Sequence, residues 1–247
     1  MLKWERQAFI LHQINLHNRV LSTDLSVLIN VSEDTIRRDL NELNEAEKLI
    51  KVHGGALSKS FHDAAMGADV YQHDSKKIIA QKAVSLIQDG MSLLTTGGTS
   101  IVEMARLLPE DLHVTFFTVS IAAAYEYAKH SNIEVIFIGN KISKSSQITV
   151  GAETINKISQ INSDLCFLGV NAINEEGISD NDWDVVQVKK AMIQSSKQTA
   201  FLTISEKLNT QQRIKVCELN KVGLLITELD ENEEVLKPYR RKDILVL

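Results

Sequence analysis

Cysteine is scarce: Cys166 and Cys217 are the two in 247 residues. They stand far apart in apolar surroundings and form no Cys-x-x-Cys or Cys/His spacing. They therefore read as reduced core thiols, and neither a metal nor another cofactor is expected. Long apolar runs are missing too. Residues 135–138 and 222–226 suit buried strands and fall far short of the roughly 18 or more residues of a membrane span. Lys3, Glu5 and Arg6 interrupt the N-terminus, which lacks the apolar stretch of a signal peptide. A cytoplasmic protein with no membrane partner is the expectation. A basic surplus is also absent, since the formal net charge is −5. Within residues 1–56, seven lysines and arginines face eight acids. Bulk charge thus argues against a nucleic-acid partner, and only the placement of individual cations could argue for one. There is no internal repeat and no low-complexity tract.

What is present is enough chain for a small domain and a medium one. Residues 3–17 place Trp4, Ala8, Leu11 and Ile14 at helical spacing. Ser22 or Thr23 can cap a short second helix carrying Leu25, Leu28 and Ile29. A third helix follows Ser32, with Ile36, Leu40 and Leu43 as its apolar stripe. Ser32 suits its N-cap, and Val31 and Ile36 can form a hydrophobic staple. Glu33 and Asp34 fall in the first turn, where the helix dipole favours acids. Residues 49–53 read as a strand and Gly54-Gly55 as its turn. Three short helices and a hairpin make a winged helix-turn-helix over residues 1–57. Residues 58–73 are polar and aperiodic and read as a linker.

From residue 74 to 247 the pattern changes. Helices at 78–87, 100–108, 121–129 and 185–196 alternate with strands at 91–95, 114–118, 133–138, 165–170, 199–204, 222–226 and 244–246. That alternation predicts an α/β domain with a mainly parallel sheet.

Two places could do chemistry. On the third helix Thr35, Arg37 and Arg38 lie off the apolar stripe, near the end of a recognition helix that meets base edges in the major groove. Arginine can bind guanine bidentately, while Ser32 and Thr35 can meet bases or phosphates. Lys51 and His53, on the wing, can reach a phosphate or the minor groove. The second place is Thr95-Thr96-Gly97-Gly98-Thr99-Ser100, between a strand and a helix. Glycine lets backbone approach a ligand, and a helix N-terminus offers N–H groups to an anion.

The stretch VSEDTIRRDL followed by LIKVHGGA resembles the helix-turn-helix of the DeoR family of regulators, whose pattern is V-S-x-x-T-I-R-R-D-L and R-x-H-G-G-A. Glu47 stands where that family has glycine before the wing, and Lys51 where it has arginine. The resemblance continues at lower similarity through Lys76, Ile79-Ala80, Asp89-Gly90, Gly98-Thr99-Ser100, Thr118 and Ser120, Gly139, Gly151, residues 169–179, residues 188–192, and Ser205 with Lys207. It implies a sensor domain of the ribose-phosphate-isomerase and CoA-transferase type, which takes a phosphorylated sugar or related anionic metabolite. Gly97, Gly98, Thr99, Ser100, Ser120 and Lys207 are the residues it points to. Thr96, Val119, Gln187 and Ile204 replace family acids or an amide. Their loss implies a ligand less hydroxylated than the usual sugar phosphate, or little response to one.

A repressor of carbohydrate or related genes, modulated by such a metabolite, follows as the expected function. Its partners would be a double-stranded operator and the metabolite, and it would act as a homodimer or homotetramer reading two half-sites. The competing reading is an isomerase or transferase, which needs a positioned carboxylate as base. Thr96, Gln187 and Ile204 supply none, and Glu153, Asp180 and Asp184 read as solvated loop charges. No catalytic residue is expected. A third reading, a scaffold bound to DNA constitutively, would show no metabolite response.

Overall fold

The structure is a computed structural model that describes residues 1–63, 70–240 and 244–247. Contacts divide the chain into two compact units, Met1–Tyr71 and Gln72–Leu247, each with its own core.

The first unit runs α1 (Lys3–His17), β1 (Arg19–Leu21), α2 (Ser22–Ile29), α3 (Glu33–Glu45), β2 (Leu49–Val52), β3 (Gly55–Ser58) and α4 (Lys59–Asp63). Its antiparallel sheet has the order β1-β3-β2. Ile10 and Ile14 of α1, Leu25 of α2, and Ile36, Leu40 and Leu43 of α3 form the core with Leu49. The stripe of α1 is therefore rotated from the expected one, and Trp4 is 67% exposed. Strand β1, unforeseen in the sequence, runs straight into α2. This also overturns the expected serine or threonine cap, because Leu21 is the N-cap and the Ser22 N–H donates to the Gly54 carbonyl at 2.8 Å. Helix α3 begins as expected: Ser32 Oγ accepts the Thr35 N–H at 3.3 Å, and Val31 packs on the cluster that holds Ile36. It ends in a Schellman turn. The Lys48 N–H reaches the Leu43 carbonyl, the Glu47 N–H reaches that of Asn44, and Glu47 sits at φ 55°. Of the stretch read as a linker, Ser58 ends β3, Lys59–Asp63 is helical and His73 opens the next helix, while 64–69 lie outside the described residues.

The second unit contains α5 (His73–Val84), β4 (Ser92–Thr95), α6 (Thr99–Arg106), β5 (Val114–Thr118), α7 (Ile121–Tyr127), β6 (Ile133–Phe137), β7 (Lys141–Ser143), β8 (Ile148–Val150) and α8 (Ala152–Ile158). It continues with β9 (Ser163–Gly169), β10 (Ala172–Asn174), β11 (Gly177–Asp180), α9 (Trp183–Gln194), β12 (Ser196–Leu202), β13 (Ile214–Glu218), β14 (Leu224–Ile226), α10 (Lys237–Arg240) and β15 (Leu245–Val246). Seven strands form one parallel sheet in the order β15-β14-β12-β9-β4-β5-β6. All seven were expected, with ends shifted by a few residues. Helix α8, the hairpin β7-β8 and the small antiparallel sheet β10-β11-β13 were not. The chain winds outward from β4 through β5 to β6, then returns to place β9 on the other side of β4. The carboxyl ends of β4 and β9 thus flank a topological switch point, where open α/β sheets hold their ligands.

Candidate functional sites for DNA and for a small anion

In the first unit the buried side of α3 fixes what its other side presents. Ile36 and Leu40 are fully buried, which turns Arg37 and Arg38 out to solvent. Arg37 has an exposed partner, Asp34, at 3.4 Å. Such surface pairs contribute little and exchange readily for a phosphate or base. Ser32 and Thr35 sit together at the helix start, their hydroxyl oxygens 3.0 Å apart. The Lys51 N–H donates to Asn44 Oδ1 at 2.9 Å and its ammonium to Asn41 Oδ1, which latches β2 onto the exposed side of α3. His53 is exposed beside Gly54, whose φ of 75° makes the hairpin turn. The structure therefore gathers Arg37, Lys51 and the unforeseen Asn41, and leaves Ser32 with Thr35 at the helix end and His53 at the wing tip. Asn41 follows Arg37 by one turn on the same side, a spacing visible in the sequence, and asparagine is the residue type that pairs adenine.

Asp39 is the other residue the sequence reading passed over. It is 2% exposed and lies in the buried stripe, where an unpaired acid is costly. Arg6 of α1 engages both its oxygens, Nη2 to Oδ1 at 3.2 Å and Nε to Oδ2. This pair fixes α3 against α1.

In the second unit the glycine-rich loop follows β4 at the switch point. Gly98 has φ 116° and is the N-cap of α6, a conformation that L side chains rarely adopt. Gly97 is needed for a different reason: a Cβ there would lie 2.6 Å from Ile148 Cγ2 and 3.3 Å from Ser120 Oγ. The Gly98 carbonyl accepts the Ile101 and Val102 N–H groups, so the amides of Thr99 and Ser100 head the helix end. Thr99 is buried and Ser100 half-buried. Ser120, buried beside Gly97, caps α7 by accepting the Ala123 N–H at 3.3 Å. Lys207, on the turn Ser205–Lys207 that follows β12, donates to the Val170 carbonyl at 3.1 Å. Neighbouring Gly169 abuts the Gly97 carbonyl, which a Cβ on Gly169 would meet at 3.2 Å. All six candidate residues therefore stand at the carboxyl ends of parallel strands.

Three of the four substituted positions, Thr96, Val119 and Ile204, take structural roles. Val119 and Ile204 are core residues, and Gln187 is half-buried on α9. Thr96 Oγ1 accepts the Gly169 N–H at 3.2 Å and ties the ends of β4 and β9 together. Asp180 corrects the expectation of a solvated loop charge. It is buried and receives the Lys189 ammonium at 2.7 Å and the Asn171 amide at 3.1 Å. Burial alone would raise its carboxyl, but Lys189, Asn171 and the Asn181 N–H hold it below the ordinary range. Lys189 also donates to the Gly169 carbonyl at 2.8 Å, which brings this pair to the end of β9. Asp180, Lys189 and Asn171 thus form a cluster, satisfied by its own members and by backbone, behind the end of β9. Burial and the neighbouring Lys189 lower the Lys207 ammonium to about 8.

Two family models match the chain. Residues 6–61 match the DeoR-like helix-turn-helix domain and residues 71–229 the DeoR C terminal sensor domain. Among curated proteins, the HTH-type transcriptional repressor GlcR of Bacillus subtilis is 32% identical over 94% of this chain and 91% of its own length. The glycerol-3-phosphate regulon repressor of Haemophilus influenzae is 35% identical over 84% and 82%. Among solved structures, ribose 5-phosphate isomerase A of Methanocaldococcus jannaschii aligns over 56% of this chain and 55% of its own, at 18% identity and a TM-score of 0.41.

Proposed function

The chain belongs to the DeoR family of transcriptional regulators, and from that premise we propose a repressor of carbohydrate or related metabolic genes, modulated by a phosphorylated metabolite. The family binds DNA and is not a family of enzymes. In this reading residues 1–57 read the operator, 74–247 sense the metabolite and form the oligomer, and 58–73 join them, in the cytoplasm. The observation that carries the DNA side is the exposure of Arg37, Arg38 and Asn41 on a helix whose opposite side is buried and capped. Arg37 and Arg38 contact bases, Ser32 and Thr35 contact the strand at the helix end, and Lys51 and His53 hold the backbone from the wing. A homodimer or homotetramer would present two such helices to two half-sites.

The metabolite's phosphate rests on the Gly97, Gly98, Thr99 and Ser100 loop, with Ser120 and Lys207 beside it. What supports this is the loop's place at the switch point and the helix end it offers to an anion. With Val119 and Ile204 in the core, fewer side chains remain to meet hydroxyls, so the ligand is less hydroxylated than an aldose or ketose phosphate.

Titration of the full chain, bound to an operator selected from random DNA, with glucose 6-phosphate, fructose 6-phosphate and glycerol 3-phosphate tests this reading. At least one should bind and change operator affinity by about fivefold or more, the lower end of ordinary allosteric coupling. Glycerol 3-phosphate should bind tighter than the hexose phosphates, and the reverse order would remove the statement about hydroxyls. Absence of binding by all three would remove the metabolite from the proposal.

A further inference from the structure

We propose that strand β6 is the seam between two copies of this chain, pairing antiparallel with itself across a two-fold axis at Ile136, so that the parallel sheet of one copy runs on into that of the other. The inference rests on the reading that residues 74–247 form the oligomer, and names the surface that does so.

Strand β6 is one of the two edges of the seven-stranded sheet, and among the described residues it pairs only with β5. Proteins blunt such edges with very short strands, prolines or lysines, because free peptide groups template pairing with another chain. The opposite edge is blunted in this way, since β15 has two residues. Strand β6 has five, Ile133–Phe137, with neither proline nor lysine among them. Its apolar side chains are also open to solvent: Ile136 is 39% exposed and Phe137 42%. Helix α7, which packs beside β6, adds Ile121 at 46% and Tyr125 at 64%, one turn apart on its outer side.

The backbone selects the register. The Ile138 N–H donates to the Thr118 carbonyl at 2.9 Å. Bonding direction alternates along a strand, so Glu134 and Ile136 turn their peptide groups to β5, while Val135 and Phe137 turn theirs outward. Centring the axis on Ile136 sets Val135 opposite Phe137 of the second copy, and Phe137 opposite its Val135. Each pair then exchanges both of its bonds, and each joins an aromatic to a β-branched side chain. Centring on Val135 would call on the Ile133 N–H, which already donates to the His130 carbonyl at 3.4 Å. Centring on Phe137 would run past the end of β6 to Gly139, whose carbonyl accepts the Lys157 ammonium at 3.4 Å.

The occupant is a second copy because only a strand meeting itself satisfies both sides alike, which is the isologous contact of a two-fold dimer. Charge permits it: Glu134 falls opposite Ile138 of the second copy, and no like charges are opposed along the strand. Area permits it too. At about 200 Å² for a fully exposed large apolar side chain, Ile121, Tyr125, Ile136 and Phe137 offer roughly 400 Å² per copy. That is the apolar centre of an interface of about 800 Å² per partner, with strand backbone and a polar rim supplying the rest.

Sedimentation of the full chain should give a dimer or a tetramer, and Val135→Pro should halve that mass. Proline is tolerated at an edge position whose N–H points outward, but it cannot donate across the seam. Ile136→Cys tests the register without removing anything the fold needs. Residues on the axis form a non-hydrogen-bonded pair with Cα atoms about 4.5 Å apart, within reach of a disulfide. Air oxidation with copper phenanthroline should therefore join Ile136→Cys into a dimer on a non-reducing gel. Glu134→Cys, two residues from the axis on the same face, should stay single, as should the unsubstituted chain with Cys166 and Cys217. If Val135→Pro does not fold, the crosslinks decide. A folded Val135→Pro of unchanged mass, or no preference for Ile136→Cys over Glu134→Cys, would overturn the seam and leave the oligomer reading standing. An unsubstituted chain that sediments as a monomer would remove both.

Discussion

Glu47 occupies a left-handed backbone conformation, φ 55°, at the end of the recognition helix. For a residue with a Cβ this conformation costs about 1–2 kcal/mol, and glycine avoids it while adding entropy to the unfolded chain. Glu47→Gly is therefore expected to raise the melting temperature by a few degrees, the equivalent of up to about 1 kcal/mol in a small unit. Glu47→Val should lower it. Thermal unfolding followed by circular dichroism checks both, and equal effects would show that the turn carries no strain. The sequence already marked position 47 as a departure from the family pattern, and the structure places Glu47 there in the left-handed conformation. Asp180 was misjudged as a solvated charge, and other buried charges were passed over, for a common reason. Asp39, Lys76, Asp180 and Lys189 are all buried charged groups. Asp39, Lys76 and Lys189 fall on helix stripes that are otherwise apolar. Periodicity finds the stripe, but the partner that makes a charge tolerable there comes from elsewhere in the chain, as Arg6 does for Asp39. A charge in an apolar stripe was the available signal.

At the scale of elements, the wing shows how two adjacent glycines differ. Gly54 makes the turn through its positive φ and has open space around it. Gly55 has no such φ, but a Cβ on it would lie 2.0 Å from the Val20 carbonyl oxygen of β1. Gly54→Ala should cost about 1 kcal/mol, the strain of one left-handed residue. Gly55→Ala should cost about 3 kcal/mol or more, since backbone must move. Denaturant unfolding of the two variants tests this order, and equal costs would contradict the packing of β1 on β3. No sequence signal marks β1, which has three residues between two helices. That is too short for an alternating pattern to stand out. The seven parallel strands were readable because each is a short apolar run between turn residues. The hairpin β7-β8 was not, because Lys141, Ser143, Lys144 and Ser145 mask its pairing.

At the scale of the whole molecule, each unit buries its own core, and each holds one set of polar groups proposed to meet a ligand. In the first unit the set is cationic and points outward from α3, despite the negative charge of the chain. In the second it surrounds the switch point of the parallel sheet, which strand order locates without reference to any motif. The strand order itself could not be read from the sequence, because parallel pairing joins residues far apart in the chain. The return of β9 to the side of β4 is what unites Gly97, Gly169 and Lys207. The central claim remains that α3 reads bases through Arg37 and Arg38. Its most direct test compares the affinity of the full chain for an operator selected from random DNA with its affinity for a scrambled duplex at one salt concentration. Arg37→Ala and Arg38→Ala should each reduce the ratio by about 1–3 kcal/mol, and the double variant should approach non-specific binding. An unchanged ratio in both single variants and in the double variant would contradict the claim.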